Sequence, residues 1–123
     1  MKKLILIVMF AMISQSAMAT FATDVYAETE AQKADRAWCE WFGKTAKIIM
    51  TGRQQGHPYS LAVSKVRTLS ELDQIVVIGL VDSAWSDPIV EGKALKVATA
   101  LLFQQDEQEW CLDYYGLTKE TQP

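Results

Sequence analysis

The chain has 123 residues, a formal net charge of −3 and 50% hydrophobic residues. A chain of this length predicts one domain whose core is of modest stability. Lysine and arginine are not in excess, and this composition argues against nucleic-acid binding, which depends on basic side chains at the phosphates.

The sequence begins with the features of a secretory signal peptide. Two lysines precede an apolar run at 4–13, and small residues stand at Ala17 and Ala19, which indicates cleavage after Ala19; a second small-residue site follows Ala27. The run is about half as long as a bilayer-spanning helix, so no stable membrane anchor is expected after cleavage. Loss of residues 1–19 moves the formal charge from −3 to −5, and we expect a periplasmic or secreted protein.

A long helix is predicted after a flexible lead-in at 20–30. It opens a helical domain over 31–116. Apolar residues recur at helical spacing and predict a buried face: Ala34, Trp38, Phe42, Ala46 and Ile49, with Cys39 at its edge. Gly56 is expected to end this helix, because glycine readily adopts the left-handed conformation after a last helical turn.

Two shorter helices are predicted in the middle of the chain. Pro58 suits the first position of a helix at about 58–66, since its missing N–H would be unpaired there anyway. Ser70 is a candidate N-cap, with an acid three residues later, for a helix at 71–85. The apolar run at 75–81 fits a buried helix or a buried strand; the helix is favoured because a lone strand has no partner for its hydrogen bonds.

The last helix is predicted from about Lys93 to Asp113, followed by a tail at 117–123. Its apolar residues form a broad stripe that we expect to face the core: Ala94, Val97, Ala98, Leu101 and Leu102. At about 100° per residue, Cys111 falls within about 40° of Val97.

Cys39 and Cys111 are expected to form one disulfide in an oxidising compartment. The bond would join the first and last long helices and, by closing a loop of about seventy residues, would stabilise the fold by about 4 kcal/mol. A reactive thiol or an intermolecular bridge is the alternative. The sequence therefore predicts an all-α domain of three or four helices with one disulfide.

Catalytic and metal sites find little support in the sequence. His57, the only histidine, is followed by Tyr59 and Ser60, but a general base also needs an orienting partner and a reachable nucleophile. One histidine and two cysteines expected to be bonded together do not make a zinc site. Acids on the last helix are expected to form a solvated face. We expect no catalytic residue, no metal and no cofactor.

Candidate interface residues lie mainly near the end of the first helix. Partly exposed aromatic side chains are typical interface anchors, and Trp41, at the side of the apolar stripe, is the first candidate. Arg53 is expected on the apolar side, where it would extend to water, pair with a carboxylate or bond the terminal carbonyls of its own helix. The candidate interface residues are Trp41, Arg53, Gln54, His57 and Tyr59.

Several residues follow a recognisable order. Cys39 precedes the segment AKIIMTGRQQG at 46–56, AWSDP follows at 84–88, and Phe103 precedes Cys111. This order resembles a group of small exported proteins of unassigned function from Gram-negative bacteria and their phages, which carry C, AxxxMxxRQxG, AYxxP, F and C. This chain departs from the group in three ways. Trp85 replaces the tyrosine, the segment HPY follows Gly56, and the lead-in before Cys39 is longer than in the group. The resemblance implies a two-cysteine helical fold and export, and no particular activity.

We therefore expect an exported protein-binding module, accessory or inhibitory, whose partner is another envelope or phage protein. The alternatives are a small periplasmic enzyme that uses His57 with nearby carboxylates, and a stress or chaperone-like periplasmic protein. The sequence leaves the oligomeric state open.

Overall fold

A computed structural model describes residues 27–118, which form four α-helices and no strand. The helices are α1 (Glu30–Gln54), α2 (Tyr59–Val66), α3 (Glu71–Ser86) and α4 (Lys93–Tyr114). The all-α prediction is confirmed for this part of the chain, including the helix over 75–81. The predicted signal peptide (1–19), most of the lead-in (20–30) and most of the tail (117–123) lie outside the described residues.

Glycine ends α1 as predicted. Gly56 has a φ of +80°, and its N–H donates to the Arg53 carbonyl at 3.0 Å. The N–H of His57 donates to the Gly52 carbonyl at 3.1 Å, which completes a Schellman motif. α4 ends in the same way at Gly116, where φ is +69°.

The start of α3 agrees with the prediction from sequence, whereas the start of α2 differs from it by one residue. Ser70 caps α3, because its Oγ accepts the Asp73 N–H at 3.4 Å. Pro58 was predicted at the first helical position, but its ψ of 149° is extended and makes it the N-cap of α2. Its carbonyl accepts the Leu61 N–H at 3.0 Å, so the helix begins at Tyr59.

The core lies between α1, α3 and α4 and contains the disulfide. Cys39 and Cys111 are bonded, with their Cα atoms 5.5 Å apart, so the predicted bridge between the first and last long helices is confirmed. The buried residues of this cluster are Cys39, Phe42, Ala46, Met50, Leu80, Ala84, Ala100, Phe103 and Cys111. A second, smaller cluster of Val66, Val77 and Val81 holds α2 against α3.

The buried face of α1 is rotated from the predicted one. Phe42 and Ala46 are buried as expected, whereas Ala34 is exposed. Cys39, expected at the edge of the stripe, lies at the centre of the core. The disulfide therefore lies on the side of α1 that faces inward.

The predicted core stripe of α4 is wrong. The five residues expected to face the core are exposed: Ala94, Val97, Ala98, Leu101 and Leu102. The helix instead turns Ala100, Phe103 and Cys111 inward. The Cys111 bond and a hydrogen bond of 2.7 Å from Lys96 Nζ to the Gln54 carbonyl hold it in this rotation. Leu102, about 160° around the helix from Ala100, consequently faces solvent.

Candidate functional site

Arg53 connects the end of α1 to the end of α3. Its Nε and Nη2 donate to the Asp87 carbonyl at 3.2 and 3.1 Å, and its guanidinium lies 5.8 Å from the centre of the Trp85 ring. Asp87 is the C-cap of α3, where the helix dipole attracts a cation. The sequence suggested a carboxylate or the carbonyls of α1 as partners; the structure shows the carbonyl of the residue that follows α3.

Gln54 is buried and bonds the loop between α3 and α4. Its side chain is 2% exposed; Nε2 donates to the Pro88 carbonyl at 3.0 Å, and Oε1 accepts the Val90 N–H at 2.9 Å. Arg53, Gln54 and the loop groups they bond are called the clasp below. Because its amide is engaged inside the domain, Gln54 does not present a surface to a partner, although the sequence suggested it as an interface residue.

We expect Arg53→Ala to lower the melting temperature by about 5–10 °C. The variant loses two hydrogen bonds from a charged group and the contact with Trp85, together worth about 1–2 kcal/mol at a partly exposed site. Arg53→Lys should lose about half as much, since an ammonium lacks the forked donors. Thermal unfolding followed by circular dichroism measures the change.

Lys47→Ala, at an exposed position of the same helix, serves as the matched control. It should leave the melting temperature within about 2 °C, as is usual for surface substitutions. Equal melting temperatures for Arg53→Ala and Lys47→Ala would contradict the role of the clasp.

His57 lies beside an apolar groove of about 200 Å³ that separates α1 from α2, called the α1–α2 groove below. It is lined by Thr45, Ile48, Ile49, Gly52, His57, Leu61, Ala62, Lys65, Val66, Leu69, Val77 and Trp85. The His57 ring is exposed, and its Nδ1 is 3.5 Å from where a Cβ on Gly52 would stand. None of these lining residues is a carboxylate, so the groove does not pair His57 with an acid.

Tyr59 holds α2 against α3. Its hydroxyl donates to Asp82 Oδ1 at 2.7 Å, and its ring meets Trp85 edge-on, with the ring centres 6.1 Å apart. The hydrogen bond to Asp82, followed by burial and the charge of that carboxylate, raises the pKa of Tyr59 above its usual value. The hydroxyl thus remains a donor to Asp82 at neutral pH.

The tryptophans differ in how much ring they present to solvent. Trp41, the first interface candidate from sequence, is half-buried, stacks on Trp38 with ring centres 4.8 Å apart and packs against both core clusters. Trp110 is 60% exposed and stacks on Tyr114, with ring centres 5.9 Å apart. Trp110 is therefore better placed than Trp41 to contact another molecule.

A row of exposed apolar side chains on α3 lies beside Trp110. Leu72 is 78% exposed and Ile75 70%, and Val76 completes a spacing of three and four on one side of the helix. Val76 and Trp110 line the same shallow cleft, of about 270 Å³, between α3 and α4. This surface, called the α3–α4 face below, comprises Leu72, Ile75, Val76, Trp110 and Tyr114.

Comparisons with protein-family models, with curated proteins and with solved structures found no match. Among the described residues, histidine, cysteine and acidic side chains do not gather in threes as ligands of a metal ion would. Across residues 27–118, no helix has the length and the hydropathy that crossing a membrane requires.

Glu107 lies half-buried in the cleft of the α3–α4 face. Burial, followed by the charges of Asp106 and Asp87, raises the pKa of this carboxyl above its usual value. The sequence predicted a solvated acidic face on α4, and Glu107 departs from it because the inward rotation of the helix carries this side chain toward α3.

We expect Glu107→Gln to raise the melting temperature at pH 7 by about 1–3 °C. The folded state binds the Glu107 proton more tightly than the unfolded state, so the native protein loses stability as pH rises from about 4.5 through the raised pKa. The amide avoids that loss, which solvent screening keeps below about 0.5 kcal/mol. Melting curves from pH 3 to pH 8 measure the difference.

The gain should vanish near pH 3, where the carboxyl is protonated in both states. Glu109→Gln, at an exposed position on the same helix, is the matched control and should change less. A gain in Glu107→Gln that is the same at pH 3 and pH 7 would exclude titration of Glu107 as its source.

Proposed function

We propose that this chain is an exported protein-binding module, accessory or inhibitory, that docks onto another envelope or phage protein through its α3–α4 face. The resemblance of the RQxG and AWSDP segments supports membership of the group of small exported two-cysteine proteins. The intramolecular disulfide supports an oxidising compartment such as the periplasm, because such bonds rarely persist in the cytosol.

The observation that carries this proposal is the exposure of the α3–α4 face. Adjoining apolar side chains that remain in water are candidates for an interaction site. Trp110 and Tyr114 are of the residue types that contribute most at protein interfaces. The two rings stack on each other, with their centres 5.9 Å apart, and Trp110 directly precedes the disulfide-bonded Cys111 in the sequence.

The charge of the C-terminal part of α4, which contains Trp110 and Tyr114, indicates the chemistry of that partner. From Val97 to Thr118 the sequence contains four acids and no lysine or arginine. Charges around an interface steer association and favour a partner of opposite sign. We therefore expect the partner to present a basic surface around an apolar centre.

A photocrosslinking experiment tests the proposal. A benzophenone amino acid replaces Leu72, at the edge of the α3–α4 face, in the cells that make the protein. Irradiation should yield one main adduct with an envelope or phage protein. The adduct should fall at least fivefold when Ile75→Ser or Tyr114→Ala is added, and raised salt should weaken it.

Ile48→Ser is the matched control, because Ile48 is an isoleucine of similar exposure, 72%, outside the α3–α4 face. It should leave the adduct unchanged. Equal yields with Ile75→Ser and Ile48→Ser would refute docking through this face. Adducts with many denatured proteins would support the chaperone-like alternative instead.

A further inference from the structure

The α1–α2 groove has a lining that differs from the rest of this acidic protein. The chain holds fifteen acids against twelve lysines and arginines, yet the groove is lined by Lys65 and His57 and by no carboxylate. Its remaining lining is almost wholly apolar, with Ile49, Val66 and Val77 among it. A ligand that matches both features has an apolar body and a negative group.

The size of the groove limits that body. Its volume of about 200 Å³ lies below the range of about 300–1,000 Å³ typical for drug-sized ligands and above the cavity of about 150 Å³ that admits benzene. Gly52 lines the α1 side of the groove, and a Cβ there would stand in ordinary contact with the His57 ring, 3.5 Å from its Nδ1. A single unbranched chain of medium length is of a size that this volume can hold.

We propose that the α1–α2 groove binds a medium-chain carboxylate, with its chain along the apolar lining and its carboxylate at Lys65. Lys65 is exposed, so its ammonium can meet the head group at the surface while the chain is removed from water. This site goes beyond the proposed function, and it shares no residue with the α3–α4 face.

Calorimetric titration of the mature protein with decanoate, below its micelle concentration, tests the site. Saturable binding of one decanoate per chain is expected, and decylamine should bind at least tenfold more weakly. Lys65→Met should weaken decanoate binding about threefold, because an ion pair that is exposed to water contributes little to the free energy of binding. The same variant should leave binding of neutral decanol unchanged.

Two exposed isoleucines provide a matched pair of variants. Ile48→Ser removes one wall of the groove and should weaken decanoate binding at least fivefold, whereas Ile75→Ser should not change it. In the crosslinking experiment the effects are reversed: Ile75→Ser should reduce the adduct, and Ile48→Ser should leave it unchanged. Failure of the ligand site and failure of the docking face are thus distinguishable.

Four results would overturn the proposal. They are absence of saturation, equal weakening by Ile48→Ser and Ile75→Ser, equal affinity for decanoate and decylamine, and tighter binding of a peptide that ends in leucine. The second would show adsorption to any exposed apolar surface. The last would assign the groove to the carboxyl terminus of a protein.

Discussion

Removal of the Cys39–Cys111 disulfide is expected to lower the melting temperature by about 15–30 °C. The bond closes a loop between residues 72 positions apart. Without it the unfolded chain has more conformational entropy, which lowers the free energy of unfolding by about 4 kcal/mol. Both sulfurs lie in the core with Phe42 and Phe103, so the Cys39→Ala/Cys111→Ala variant also loses packing there. Thermal unfolding followed by circular dichroism measures the change.

A reducing agent provides the matched control. It should lower the melting temperature of the native protein toward that of Cys39→Ala/Cys111→Ala, and it should leave the double variant unchanged. A double variant that melts within about 3 °C of the native protein would show that packing alone holds α1 to α4.

The helix boundaries were predictable because the signals that set them are local. Gly56 ends α1 through its own φ, and Ser70 caps α3 through a bond to a residue three positions on. Pro58 was misplaced by one position, since its ring fixes φ but leaves ψ free to be extended or helical.

The inward side of α4 was not predictable from its periodicity. Apolar residues lie on both sides of this helix, so the sequence supports two rotations of similar apolar content. The contacts that choose between them come from distant parts of the chain, namely the bond of Cys111 to Cys39 and that of Lys96 to Gln54. Leu101 and Leu102 consequently point to solvent, although they look like core residues.

The candidate site was missed for the same reason. Exposure of Leu72, Ile75 and Trp110 depends on which sides of α3 and α4 pack together, and the sequence shows only that these residues are apolar. A row at three and four along a helix usually indicates a core face. The mixed apolar surface of α3, with both Ile75 and Val77 in one short run, was the available signal that one side would remain uncovered.

The residues that resemble the group of small exported two-cysteine proteins lie in the core and at the loop after α3, and not on the α3–α4 face. Cys39, Met50, Phe103 and Cys111 lie in the core, and the RQ pair bonds the loop that follows AWS. None of the five residues of the α3–α4 face belongs to that pattern. Proteins that share the pattern are therefore expected to share this helical framework and to differ in the surface that contacts their partners.

Gly43→Ala is expected to lower the stability of the domain by about 1–3 kcal/mol. A Cβ at Gly43 would stand 2.9 Å from the Cβ of Gln108 and 2.7 Å from its Oε1. The amide oxygen can move, but the Gln108 Cβ is fixed to the α4 backbone, and the nearby disulfide restrains α1 and α4 from separating. The resulting strain exceeds the gain of about 1 kcal/mol that alanine brings to a helix. Urea unfolding measures the difference.

Gly79→Ala is the matched control, because Gly79 also lies within a helix and a Cβ there would meet no atom within 4 Å. This substitution should stabilise the domain by up to about 1 kcal/mol, so the two glycine variants are expected to differ in sign. Adding Gln108→Ala to Gly43→Ala should restore only part of the loss, since it removes the amide contact and retains the Gln108 Cβ. Full recovery in that double variant would show that the side-chain amide, and not the close approach of the two helices, requires glycine at position 43.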